Sequence, residues 1–147
     1  MSDAREGLIW DAIAGKRETP PAVVLLGSVF VDVEPGRAKM EFDAKEHLHN
    51  GVGLVHGGFL AAMLDDTLGT AAASAVGPDQ FVTTVEMKVN YIRPARTGKL
   101  IGEGRVVHKG RSIIFAEATL SAEDGSLIAT GSSTWRVIPA PKEGDTS

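Results

Sequence analysis

The residues best suited to chemistry lie in the run from Asn50 to Gly58, NGVGLVHGG, and in the apolar segment that follows it, where two acids, Asp65 and Asp66, interrupt the pattern. Glycines let a backbone approach a ligand closely, and the segment after Gly58 reads as a helix, so unpaired amides near Gly57 would face whatever docks there. An anionic oxygen suits that position. A carboxylate in a stretch such as FLAAML is costly to bury and is kept when it is paired or used. To stay ionised it needs hydrogen-bond donors.

Other chemistries fit these residues less well. His47, His49 and His56 have no acid or cysteine cluster beside them, whereas a zinc site needs three or four convergent ligands, so no metal is expected and His47 and His49 read as loop residues. The run GVGLVH approaches a dinucleotide fingerprint, but its third glycine is displaced and strands rather than crossover helices follow. There is no Gly-x-Ser-x-Gly elbow, and the absence of cysteine removes thiolate nucleophiles and disulfides. His108, near a turn, reads as structural, Asp66 as a solvated or capping acid, and Trp10 and Trp135 as packing residues.

At 147 residues with 43% apolar content, the chain fits one compact domain. It shows no basic leader and no run near the ~18 apolar residues of a membrane span, so a soluble cytoplasmic protein is expected. Net charge is −4, yet Lys88, Arg93, Arg96, Lys99, Arg105, Lys109 and Arg111 face a single acid, Glu103, in the stretch between them, giving that segment +6. Such asymmetry fits a small anionic ligand better than nucleic acid, which favours a basic domain overall.

The elements that must carry these residues follow from the spacing of apolar side chains. Leu8, Ile9, Ala12 and Ile13 predict a short helix ended by Gly15 and Pro20-Pro21. Val23 to Val33 reads as a strand, turning at Glu34-Pro35-Gly36 into a second. Residues 57 to about 76 read as a long, alanine-rich helix with little polar surface, which something must enclose. Val85, Met87, Val89 and Tyr91 then alternate with polar residues, and runs 100–108, 112–120 and 127–138 are joined by tight turns at Lys109-Gly110 and Asp124-Gly125. The tail from Pro139 to Ser147 lacks apolar anchors and reads as loose. The sum is an α+β fold, a six-stranded antiparallel sheet wrapped around a long central helix.

The pattern Asn50, Gly53, His56-Gly57-Gly58, Asp65 and Gly69, followed by Val89-Asn90-Tyr91-Ile92-Arg93-Pro94, resembles the hotdog-fold acyl-CoA thioesterases of the phenylacetic-acid-degradation type. The likeness runs over roughly residues 22 to 138, and it divides the chain into an N-terminal helix and linker (1–21), a hotdog domain (22–138) and a tail (139–147). It implies hydrolysis of an aryl- or fatty-acyl-CoA. The Gly57 amide would stabilise the oxyanion, Asn50 would position the carbonyl or the attacking water, His56 would hold the loop or bond near the sulfur, and Asp65 would be general base or nucleophile. Thr84, where relatives often carry a hydroxyl, would assist the acid. Lys109, Arg111 and Ser112 would meet the coenzyme A nucleotide. No cofactor is implied, coenzyme A being part of the substrate, and neither nucleic acid nor membrane is an expected partner.

Helix geometry adds a constraint. Nine residues at about 100° each place Asp65 opposite His56 and ~13 Å along the axis, too far to share one substrate within one chain. A site built from Asn50, His56 and Gly57 of one subunit and Asp65 of another follows, which is also how the family builds it; a homotetramer, a dimer of dimers, is the implied assembly. Two alternatives have different signatures. A hotdog enoyl-CoA hydratase or dehydratase places its acid and histidine in another frame, and a non-catalytic acyl-CoA-binding module would tolerate loss of Asp65.

Overall fold

The computed structural model describes residues 5–142, so the end of the tail, residues 143–147, lies outside the described residues. Its elements in chain order are α1 (Leu8–Ile13), α2 (Pro21–Leu26), β1 (Val29–Glu34), β2 (Arg37–Ala44), a 3-10 turn (Glu46–Leu48), α3 (Gly57–Ala73), β3 (Gln80–Tyr91), β4 (Gly98–Lys109), β5 (Ile113–Ala122) and β6 (Leu127–Pro139). The strands form one antiparallel sheet in the order β1-β2-β4-β5-β6-β3, with α3 packed against all six. This is the expected hotdog arrangement. The core lies between the two, where Met40, Phe42, Leu100, Ile114 and Leu120 of the sheet meet Met63, Leu64 and Leu68 of the helix.

The helix sits unusually close to β4 because that strand lacks side chains where they touch. A Cβ on Gly102 would lie 2.2 Å from the Thr67 hydroxyl oxygen, and one on Gly104 would lie 3.1 Å from the Thr67 backbone. Thr67 is fully buried and returns its hydroxyl to the Met63 carbonyl at 2.9 Å. Gly69 rests against Trp135, whose indole N–H donates to Ser133. Trp10 is also buried, with the Arg5 guanidinium over its ring. At the far end, α3 stops at Ala73, three residues short of the expected Val76. The Ser74 hydroxyl donates to the Ala71 carbonyl at 2.8 Å and accepts the Gly36 amide at 2.9 Å, tying that terminus to the β1–β2 turn.

Two expectations are corrected. Residues 21–26 form a helix rather than the start of a strand. Pro21 opens it at a position where its missing N–H costs nothing, Leu26 is drawn into the core, and Gly27, at φ 60°, ends it in the left-handed conformation. This local arrangement overrides the β preference of Val23 and Val24. In β3, a bulge between Thr84 and Glu86 breaks the expected alternation. Val85 is turned out to solvent, 56% exposed, while Met87 and Val89 still pack on the core. The bulge leaves Thr84 facing the helix.

Candidate active site

At the start of α3 the chain uses its own polar groups to hold the loop. The Asn50 side-chain carbonyl accepts the amides of Val52 at 3.0 Å and Leu54 at 3.1 Å, while its backbone amide donates to the Leu54 carbonyl at 2.7 Å. Asn50 Oδ1 is thus committed to the turn, and its NH₂ group remains as the donor it can offer a ligand. His56 is the N-cap, with Nδ1 accepting the Gly58 amide at 2.9 Å. A backbone amide can only donate, so the proton of the neutral ring sits on Nε2.

The other amides of the first turn are occupied as well: those of Phe59 (2.9 Å) and Leu60 (3.2 Å) both donate to the His56 carbonyl. Gly57 is left. Its amide has no acceptor among the described residues. It borders a cavity of about 310 Å³ whose walls include Asn50, Leu60, Tyr91, Ile92 and Arg93. A free amide at the positive end of a helix, beside an asparagine NH₂ group and an apolar wall, can stabilise a developing oxyanion.

Asp65 and Thr84 do not line that cavity. Along the helix, Asp65 is about 12 Å from Gly57. It is half-buried, and its Oδ1 accepts the Thr84 hydroxyl at 2.9 Å. The structure therefore brings Asn50 and Gly57 to one cavity, with His56 as the cap of α3 outside its lining, brings Asp65 and Thr84 together, and keeps the two groups apart within one chain.

Asp66 departs from expectation. It is neither solvated nor capping, since it lies within α3, half-buried, and accepts the Ser28 hydroxyl at 2.6 Å. Burial pushes its pKa above the usual carboxylate range, the Ser28 bond draws it back, and the charge of Asp65 adds to the rise. Ser28 carries no sequence signal for this contact, which links positions 38 residues apart.

Lys109, Arg111 and Ser112 stand at the β4–β5 turn and line neither this cavity nor the larger one of about 720 Å³ bordered by Lys39, Glu103, Arg105 and Glu117. The Lys109 ammonium donates to the Ala75 carbonyl at 2.5 Å, just past the end of α3. Within the basic segment, Lys99 pairs with Glu41 and Glu123, and Arg105 with Glu117. His47 bonds the Leu25 carbonyl and His49 the Thr97 hydroxyl, while His108 packs beside the Phe115 ring. Among the described residues, no three of His, Cys, Asp or Glu converge as a metal site.

Sequence reasoning singled out Tyr91 as part of a motif but gave it no role. Its hydroxyl donates to the Gly57 carbonyl at 2.8 Å.

Comparison with known proteins identifies the family. The thioesterase superfamily profile matches residues 47–129, which span Asn50, α3 and β3 to β5. The chain is 33% identical over 109 residues to the proofreading thioesterase EntH of Klebsiella pneumoniae, covering 74% of this chain and 79% of that protein. It is 30% identical over 113 residues to human acyl-coenzyme A thioesterase 13, covering 75% and 80%. Among solved structures, a phenylacetic acid degradation-related protein from Ralstonia eutropha superposes with a TM-score of 0.83 at 28% identity, covering 87% of this chain and 98% of that one. A thioesterase family protein from Silicibacter pomeroyi gives 0.82 at 29%, covering 90% and 100%. The chain belongs to the thioesterase superfamily, in its phenylacetic-acid-degradation type, and is a thioester hydrolase. No helix among the described residues is long and apolar enough to cross a membrane.

Proposed function

We propose that the protein hydrolyses an acyl-CoA thioester in the cytoplasm, without a cofactor beyond the coenzyme A of its substrate, in a site shared between two subunits. The observation that carries this reading is the Gly57 amide, left without an acceptor beside a partly apolar cavity. The thioester carbonyl oxygen would receive that amide and the Asn50 NH₂ group, and the His56 Nε2–H would lie near the sulfur. Asp65, steadied by Thr84, takes a proton from water as the water oxygen bonds to the carbonyl carbon. The C–S bond then breaks, and the proton passes to the departing thiolate. Direct attack by Asp65, through an anhydride that water then cleaves, uses the same residues. The coenzyme A substrate class is supported by the names of two relatives, the human acyl-coenzyme A thioesterase and a 1,4-dihydroxy-2-naphthoyl-CoA hydrolase of Listeria monocytogenes.

The sheet itself supports a shared site. β3 is an edge strand, with one ladder unpaired. Two side-chain hydrogen bonds join it to α3, Thr84 to Asp65 and Tyr91 to Gly57. If two copies pair antiparallel through β3, about a two-fold axis midway between these bonds, Thr84 of each lies opposite Tyr91 of the other. Asp65 of one chain then approaches Gly57 of its partner, which closes the gap left within a single chain. A dimer of dimers would follow from a second contact. Lys109, Arg111 and Ser112 would meet the nucleotide. Lys109 has two N–H donors to spare while it keeps the Ala75 carbonyl.

The test is release of coenzyme A from benzoyl-, phenylacetyl-, hexanoyl- and palmitoyl-CoA, read with a thiol reagent against which the cysteine-free chain gives no background. Mixing Asp65→Asn with Asn50→Ala protein should restore turnover that neither has alone, because a mixed dimer keeps one intact site. Tight binding without turnover on any substrate would point instead to a binding module.

A further inference from the structure

The start of α3 has an unusual weakness. Its first two residues are glycines, the most permissive of backbones, at a terminus that lacks intrahelical acceptors for its amides. An oxyanion donor must nevertheless hold one direction. How it does so can be followed through the two peptide planes that meet at the Gly57 Cα.

The first plane joins His56 to Gly57. Its oxygen accepts the Phe59 and Leu60 amides, and its hydrogen is the free one on Gly57. The second plane joins Gly57 to Gly58. Its hydrogen is taken by His56 Nδ1 at 2.9 Å, and its oxygen receives the Tyr91 hydroxyl at 2.8 Å. That plane is thus gripped at both ends by side chains. The Tyr91 ring lies beside Gly57, 3.5 Å from where a Cβ on that residue would stand.

Tyr91 is itself well anchored. It is paired with Ala129 of β6, and the next two amides, of Ile92 and Arg93, both donate to the Ile128 carbonyl at 2.8 and 3.1 Å. Within the single chain the residue is 55% exposed, so packing in that chain's own core does not account for it. Its hydroxyl hydrogen is committed to Gly57 and is not offered to a substrate.

We propose that Tyr91 is the positioning residue of the oxyanion donor. Its hydroxyl holds the Gly57–Gly58 peptide plane against rotation, which keeps the Phe59 and Leu60 amides seated on the His56 carbonyl, and so keeps the plane that carries the Gly57 amide aimed into the cavity. The inference rests on reading that amide as the oxyanion donor.

The test is Tyr91→Phe, which keeps the ring and removes the brace. With a thioester the wild type hydrolyses, kcat should fall about tenfold while KM and the urea midpoint stay close to wild type, because misaiming a donor costs transition-state stabilisation rather than binding or fold. Backbone amide exchange, followed by NMR on the same variant, should quicken at Gly58 and stay unchanged along β6. An unchanged kcat, or unchanged exchange at Gly58, overturns the proposal. Should the wild type hydrolyse none of the thioesters, the hydrolase reading itself falls, and the exchange measurement alone still decides whether Tyr91 braces the turn.

Discussion

Asp65 and Asp66 are neighbours in sequence and share a helix, yet they serve opposite sides of the molecule. Asp65 faces β3 and accepts the hydroxyl of Thr84, on an edge strand whose outer ladder is open. Asp66 faces the other edge and accepts the hydroxyl of Ser28, just before β1. One acid looks towards the place where a second subunit would complete a site, and the other towards its own chain's N-terminal segment. What separates a candidate catalytic carboxylate from a structural one here is which edge of the sheet the hydroxyl comes from, since each acid has one hydroxyl partner and each is half-buried.

The comparison can be broken most forcefully at Asp65. Asp65→Asn should lower kcat by about 10³-fold with the unfolding midpoint preserved, while Asp66→Asn should leave kcat within about threefold. Equal losses in both would erase the distinction. A smaller effect is expected one step out, where Thr84→Val should cost about tenfold in kcat by removing the donor that steadies Asp65, again without loss of stability. The pH dependence of stability should single out Asp66. Its pKa is raised in the folded protein, so its contribution is fully present below the usual carboxylate range and is lost as pH rises through the raised value. Urea unfolding from acid to neutral pH should therefore show this decline in the wild type and a flatter profile in Asp66→Asn. The mildest change, Ser28→Ala, should cost about 1 kcal/mol and move the decline to higher pH, because the lost hydroxyl is the contact that lowers the Asp66 pKa.

Much of this architecture was legible in the sequence because its signals are local and repeated. The apolar run after Gly58 is too long for a strand, and the later strands are separated by tight turns at Gly110 and Gly125. The α2 segment was misread because Val23 and Val24 suggest a strand, while the tertiary pull on Leu26 and the turn at Gly27 decide otherwise. The bulge at Val85 was invisible because nothing in that residue's type announces an extra position in the ladder. Of the candidate site, the run from Asn50 to Gly58 and the two acids stand out by residue type, and the family resemblance narrows them to Asn50, His56, Gly57 and Asp65. The contacts from Ser28 and Tyr91 could not, since each spans more than thirty residues and depends on the sheet having closed.

The bare glycines of β4 under Thr67 carry a further consequence. Because Gly102 and Gly104 present only backbone to the helix, the height of α3 above β4 is set where Thr67 rests on bare strand. The fixed bearing of the fold is therefore separate from the replaceable lining of its cavity. Leu54 and Ile92 lie on that lining, outside the buried core and away from the bearing. They could be exchanged, by drift or by design, to admit a different acyl group while the helix keeps its seat and its two acids keep their directions.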